Sequence, residues 1–274
     1  MKRVGILYHP KIEKAEAFSR EVEKFLKAQG VSFWTCSAWE EEKAKSQIAG
    51  TELILSIGGD GTILRAVRAV VPQMVPIVGI NLGNLGFMTE LKADEAFEKL
   101  PRLLGGEGWI EERAMLEAEP LSQGRIFHAM NDVFVGRRSL ARLVRIETRV
   151  DGEVLATYRA DGVIVATATG STGYSLAAGG PILCPQAEEI IFKPVCPHLA
   201  LDRAVVLSSE AEIRLKVITT HEAMLSIDGQ VELPMNSGDE VRVKISSHIA
   251  RFLRIRPKAY FYSYLESKFK GKVR

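Results

Sequence analysis

Leu53-Ile-Leu-Ser-Ile-Gly-Gly-Asp-Gly-Thr-Ile-Leu-Arg65 is the stretch whose reading decides the fold of the first part of this chain. The apolar run Leu53–Ile57 reads as a strand buried on both faces, and it ends in Gly58, Gly59 and Gly61 before a helix opens near Thr62. Glycines at a strand-to-helix turn let the backbone approach a phosphate, and the helix N-terminus adds free N–H groups and the positive end of its dipole. The pattern is neither the G-x-G-x-x-G fingerprint nor a Walker A loop, because no Gly-Lys-Ser/Thr follows. Asp60 is the unusual residue. A carboxylate repels a phosphate it faces, so it holds a cation, or takes a proton from an attacking hydroxyl, or simply caps the helix.

Outward from this loop, short apolar runs alternate with helical periods. Val4–Tyr8, Val31–Cys36 and Pro76–Ile80 read as further strands. Residues 12–28 carry Ile12, Ala15, Phe18, Val22, Phe25 and Leu26 near helical spacing, and helices are expected over about 62–71 and 93–104. Such alternation implies a parallel sheet covered on both faces. After Gly105-Gly106 the character changes to short alternating runs broken by Asp151-Gly152, Asp161-Gly162, Asp228-Gly229 and Asn236-Ser237-Gly238, the mark of a β-rich, sandwich-like domain. The expected division is an α/β domain over 1–105 and a β-rich domain over 106–257. A helix at about 258–274 is a candidate to return to the first.

Three further stretches carry candidate chemistry. Asp161-Gly-Val-Ile-Val-Ala-Thr-Ala-Thr-Gly-Ser-Thr-Gly-Tyr174, running on to Gly180, delivers a buried strand into small residues. Their amides and hydroxyls, with the flat face of Tyr174, suit a nucleoside lying against the protein; a flexible Ser/Gly loop is the alternative. Asn131-Asp132 could read an adenine edge and ribose hydroxyls, or form an Asx turn. Asn81-Leu-Gly-Asn-Leu-Gly-Phe87 closes a parallel strand at the carboxyl edge, where open α/β sheets bind ligands.

Composition narrows the classes. The 274 residues are 46% hydrophobic and 26% charged, with a net charge of +2, which argues against an electrostatic grip on nucleic acid or membrane. The basic tail from Lys268 is expected to be a solvated end. Cys36, Cys184 and Cys196 are too few and scattered for a disulfide framework or a zinc site, so reduced thiols in a cytoplasmic protein are expected. With only Met-Lys-Arg before the first strand no signal peptide is expected, and no apolar stretch reaches bilayer length. The histidines at 9, 128, 198, 221 and 248 show no metal-ligand spacing.

Together these motifs resemble the NAD kinase family: Gly58–Thr62 stands for its Gly-Gly-Asp-Gly-Thr loop, Asn131-Asp132 for its Asn-Glu/Asp pair, and Asp161–Tyr174 for its Asp-Gly…Thr-Gly-Ser-Thr-Ala-Tyr segment. The glycine loop is shared with phosphofructokinases and lipid kinases; the Asp161 segment is what points to NAD. The resemblance implies a Rossmann-like α/β domain of the phosphofructokinase/diacylglycerol-kinase kind, a β-rich C-terminal domain, and NAD between them. It implies Asp60 as proton acceptor for the 2′-hydroxyl of the adenosine ribose, with Gly58, Gly59, Gly61, Thr62, Arg65, Phe87, Asn131, Asp132, Arg142, Arg159, Asp161, Thr172, Gly173, Tyr174, Ser175, Leu176, Ala177 and Gln230 at nucleotide contacts. A phosphoryl donor, ATP or polyphosphate, carries Mg²⁺, NADP is the product, and a homodimer or homotetramer is implied. Gly173 stands where Ala is common and Asp132 where Glu is common. Neither departure removes a chemical group. Two rival readings are a lipid or sugar kinase with the same loop, which does not need the Asp161 platform, and a non-catalytic NAD sensor, which does not need Asp60.

Overall fold

A computed structural model describes residues 1–139, 142–198, 202–219 and 221–270, the side chains of 269 and 270 aside. Beyond Lys268 most of the basic tail therefore lies outside the described residues. The chain divides into two compact units: Met1–Glu112 with the chain from Ala250 onward, and Arg113–Ile249. Two strands contribute to both, β6 (Trp109–Pro120) and β17 (Glu240–Arg254).

In the first unit, β1 (Arg3–Tyr8), β2 (Ser32–Ser37), β3 (Leu53–Ile57), β4 (Ile77–Asn81) and the end of β17 run parallel in the order β17-β4-β3-β1-β2. The two-residue β5 (Leu91–Lys92) pairs with the end of β4. Every residue of β3 is buried, as a parallel strand covered on both faces requires. On one face, Ala15, Phe18, Val22 and Leu26 of α1 (Glu13–Ala28) and Ala96, Leu100 and Leu103 of α4 (Ala93–Leu104) pack on Val4, Ile6, Leu55, Val78 and Ile80. On the other, Ile63 of α3 (Asp60–Val70) lies over Gly79, and Arg68 ties α3 to Glu41 of α2 (Glu41–Gln47) at 2.6 Å. The helix expected at 93–104 has those bounds, whereas α3 starts two residues before Thr62. Helix α2 has no counterpart in the apolar periodicity: Ala44 is its one buried residue. The last helix, α6 (Tyr260–Lys270), belongs to this unit.

The second unit is antiparallel. One sheet runs β13 (Val205–Leu207), β12 (Ile190–Val195), β11 (Gly162–Ala166), β8 (Asp132–Arg137), β15 (Ala223–Ile227), β16 (Val231–Met235). The other contains β10 (Glu153–Ala160), β9 (Val144–Val150), β14 (Ile213–Val217) and β17, with β6 and β7 (Phe127–Ala129) paired beside β17. Alternate residues of both sheets, among them Val133, Val135, Val163, Val165 and Phe192 from the first and Ile146, Tyr158, Leu215 and Val243 from the second, meet in one apolar core. That is a sandwich, as the alternating pattern implies. The α/β unit and the β-rich unit are the fold class expected from the sequence.

Candidate active site

The glycine loop forms as its residues dictate. Gly59 is the extended residue before α3 and Asp60 is the first helical one, so the helix N-terminus opens on the loop. A side chain placed at Gly59 or Gly61 would meet nothing within 4 Å, which leaves open space on that side of the loop. The Thr62 hydroxyl is buried and has no hydrogen-bond partner. Asp60 does not cap its own helix. Its Oδ2 accepts the Phe87 N–H at 2.8 Å and its Oδ1 the Met88 N–H at 3.1 Å. The carboxylate lies so close to Gly86 that a Cβ there would be 2.1 Å from Oδ1. Glycine at 86 is what lets the acid sit there.

Arg65, one turn further along α3, stacks its guanidinium 4.1 Å over the Trp39 ring, whose edge meets His9 at 4.5 Å. Phe87 meets Tyr264 of α6 edge-on, with ring centroids 5.3 Å apart. Trp39 and Tyr264 were not expected here from sequence; nothing local marks an aromatic in a distant segment.

In the second unit, three motifs converge at one end of the six-stranded sheet. Asp132 opens β8 opposite Ala166, the last residue of β11, and Val133 pairs with Ile227, the last of β15. The chain after β11 therefore arrives beside Asn131-Asp132. Thr167 donates its N–H to the Asn131 carbonyl and its hydroxyl to the Met130 carbonyl. The 3₁₀ turn Gly170–Thr172 crosses so near that a Cβ on Gly170 would be 2.0 Å from the Asn131 backbone carbonyl oxygen. Gly173 faces the Asn131 and Asp132 side chains, and the short α5 (Tyr174–Ala177) follows. The Asn131 Oδ1, Thr169 Oγ1 and Ser175 Oγ atoms are buried without partners. Such atoms are costly unless something bonds them. Tyr174 is 44% exposed, its ring edge-on to Phe134.

The chain after β15 arrives at the same place. Asp228, at φ +53°, accepts the N–H groups of Met130 (2.9 Å), Asn131 (2.7 Å) and Asp132 (3.1 Å). The sequence marked Asp228-Gly229 only as a turn. Gln230 follows it, half-buried. Burial, and then the charge of Asp228, push the Asp132 carboxyl up to about 7.

Asp161 lies near enough to Tyr174 that its charge, after burial, raises the pKa of the phenol, whereas Arg142 and Arg159 fall elsewhere in this unit. Asp161 is paired with Arg137 at 3.1 Å, a partner that nothing in the sequence marks. Arg142 contacts His221 at 3.1 Å, and Arg159 lines a recess of about 590 Å³ with Arg145, Thr157, Thr219 and His221.

Residues 16–108 match the family model for the ATP-NAD kinase N-terminal domain, and residues 130–255 that for the ATP-NAD kinase C-terminal domain. An NAD kinase of Dehalococcoides mccartyi (strain CBDB1) is 45% identical over 274 residues, covering 98% of this chain and 96% of its own. The chain belongs to the NAD kinase family. It is a phosphotransferase of that family, acting on NAD. Among solved structures, an Archaeoglobus fulgidus NAD kinase in complex with ATP superimposes with a TM-score of 0.80 at 27% identity, over 98% of each chain. Yeast NADH kinase shares the fold, with a TM-score of 0.85 over 100% of this chain and 89% of its own, at 24% identity.

Proposed function

We propose that this chain transfers a phosphoryl group from ATP to the 2′-hydroxyl of the adenosine ribose of NAD, with Asp60 as the proton acceptor. The observation that carries this reading is the Asp60 carboxylate, at the first turn of α3 on an open glycine loop, oriented by two amides. Each carboxylate oxygen has more than one lone-pair site, so those bonds aim the group without exhausting it. Gly58, Gly59, Gly61 and Thr62 receive the donor phosphates, where the amides of a helix start favour anions. In the second unit the unpartnered Asn131 oxygen and the Asp132 carboxyl bind the adenosine, beside Thr172–Ala177 and Gln230. The family resemblance adds Arg65, Phe87, Asp161, Arg142 and Arg159 as nucleotide contacts, with Arg142 and Arg159 beside His221 and apart from the Asn131–Ala177 cluster. The likeness to the Archaeoglobus fulgidus enzyme solved with ATP supports ATP as donor.

Among the described residues no three His, Cys, Asp or Glu side chains gather into a metal cage. Mg²⁺ carried by phosphates keeps several waters and needs one or two protein carboxylates at most. Asp60, the single carboxylate of the loop, is the base in this reading, so the donor phosphates and water would hold the cation. Bound with the donor, such a cation would neutralise phosphate charge. The three free cysteines accord with a cytoplasmic protein, and a homodimer or homotetramer follows from the family resemblance.

The test is Asp60→Asn. A placed base contributes roughly 10²–10⁴-fold, or on the order of 3–5 kcal/mol of barrier. NADP formation from NAD, ATP and Mg²⁺, read through an NADP-specific dehydrogenase, should fall by that factor. NAD affinity should stay within a few-fold. A variant keeping more than about a tenth of wild-type turnover removes Asp60 from the base role.

A further inference from the structure

The segment that holds Asp60 is irregular, tied within itself by side-chain bonds from the Gly83 N–H to Asn81 Oδ1 at 2.9 Å and the Gly86 N–H to Thr89 Oγ1 at 2.7 Å. Between β4 and β5 the chain passes Gly83, Asn84, Leu85 and Gly86, half-buried or exposed and free of regular structure. Ordering such residues costs conformational entropy. Yet its next two amides, Phe87 and Met88, must stay in place for the Asp60 carboxylate to keep its aim.

Two side chains from the C-terminal part of the same unit hold it. The Tyr264 hydroxyl donates to the Leu85 carbonyl, and its ring packs edge-on against Phe87. From the end of β17, Arg254 Nη1 donates to the Met88 carbonyl at 2.8 Å. That guanidinium is buried and fixed by Glu111 at 2.7 Å and Glu90 at 3.3 Å. Glu90 in turn accepts the Ile255 and Arg256 N–H groups and donates its own to Gly79 of β4. One residue, Met88, therefore bonds Asp60 through its N–H and Arg254 through its carbonyl.

We propose that Tyr264 is a positioning residue for phosphoryl transfer. It fixes Leu85 and Phe87, as Arg254 fixes Met88, so that two backbone amides hold the Asp60 carboxylate in its working orientation. This rests on Asp60 as the base. Helix α6 is thereby part of the catalytic apparatus although it touches no reacting atom.

Tyr264→Phe keeps the ring and removes the donor. In the full-length protein, kcat should fall about tenfold, short of the 10²-fold that a 1 Å misplacement can bring. KM for ATP should stay within about twofold, since the glycine loop is untouched, and KM for NAD should rise by less than kcat falls, because Phe87 keeps its ring contact with residue 264. Hydrogen exchange should accelerate at the Phe87 and Met88 amides and stay unchanged at those of β1 and β3. Arg254→Lys, which keeps the buried charge but not the fork, should show the same pair of effects. Wild-type kcat, or unchanged exchange at Phe87 and Met88, or acceleration spread over the core strands, overturns the proposal. Asp60→Asn run alongside separates the two readings. If that variant stays active, the base assignment is what fails. If it is inactive while Tyr264→Phe behaves as wild type, only the positioning role fails.

Discussion

At the residue scale, Asp132 shows how a site can be held at a cost. It is 7% exposed and lies beside a second carboxylate, Asp228, whose own charge is absorbed by backbone amides. Burial first, then Asp228, raise its pKa from 3.8 to about 7. For an acid whose pKa rises on folding, the contribution to stability is complete below the unfolded value. It is lost as pH climbs through the folded one. The contribution of Asp132 to stability should therefore be lost between about pH 4 and pH 7, by up to roughly 1.4 kcal/mol for each step of one in pH. Asp132→Asn removes this titration, so its stability relative to wild type should improve on going from pH 5 to pH 8. Denaturant unfolding at several pH values checks it. A difference that is the same at every pH would mean that Asp132 ionises in the fold without penalty. The acid was legible in the sequence as half of an Asn-Asp pair; its environment was not, because Asp228 lies 96 residues away.

At the scale of elements, what the sequence revealed and what it hid follow one rule. Elements with a strong period or a continuous apolar run were legible: β3 as a buried run, α1 and α4 by their apolar faces. Helix α2 was hidden, because Glu41–Gln47 buries a single alanine and is held by ion pairs instead. The turn after β15 was legible as Asp-Gly, but its function was hidden. A left-handed aspartate reads as turn chemistry, and only the pairing of β15 with β8 brings its carboxylate under the Met130–Asp132 amides. The same pairing explains why Asn131-Asp132 and Asp161–Tyr174 were legible as motifs but not as neighbours. Asp228→Ala should remove a charged acceptor from three amides. Hydrogen bonds to charged groups are worth about 1.5–3 kcal/mol each. NAD affinity by calorimetry should weaken roughly tenfold or more, with ATP affinity unchanged. A lower melting temperature with NAD affinity intact would show that the turn supports the sheet and not the site.

At the scale of the molecule, the two units are built unequally along the chain. Arg113–Ile249 is contiguous and its two sheets close over their own apolar core. The other unit is discontinuous: it needs Ala250–Arg254 as a strand beside β4, and Arg254 beneath Glu90 and Glu111. Without that strand, a fragment ending at Glu112 would lose Phe252 and Leu253, fully or nearly buried in the intact chain. Each large apolar side chain is worth about 1.5–3 kcal/mol. It would also take Arg254 away from the buried Glu90 and Glu111, and breaking a buried pair costs about 3–5 kcal/mol. The sum approaches the whole stability of a typical domain, about 5–15 kcal/mol. Residues 1–112 expressed alone should therefore lack cooperative unfolding and dispersed amide resonances, whereas 113–249 should show both. Glu112 and Arg251 form an ion pair at 3.0 Å, so the chain ends lie close enough for a short Gly-Ser linker to join Glu112 to Ala250. That joined form should recover a cooperative transition. Its recovery must depend on Arg254: if Arg254→Met in the joined form unfolds at the same denaturant concentration, the buried ion network contributes nothing to the unit. The cause of the failure of 1–112 would then have to be sought in the lost strand alone.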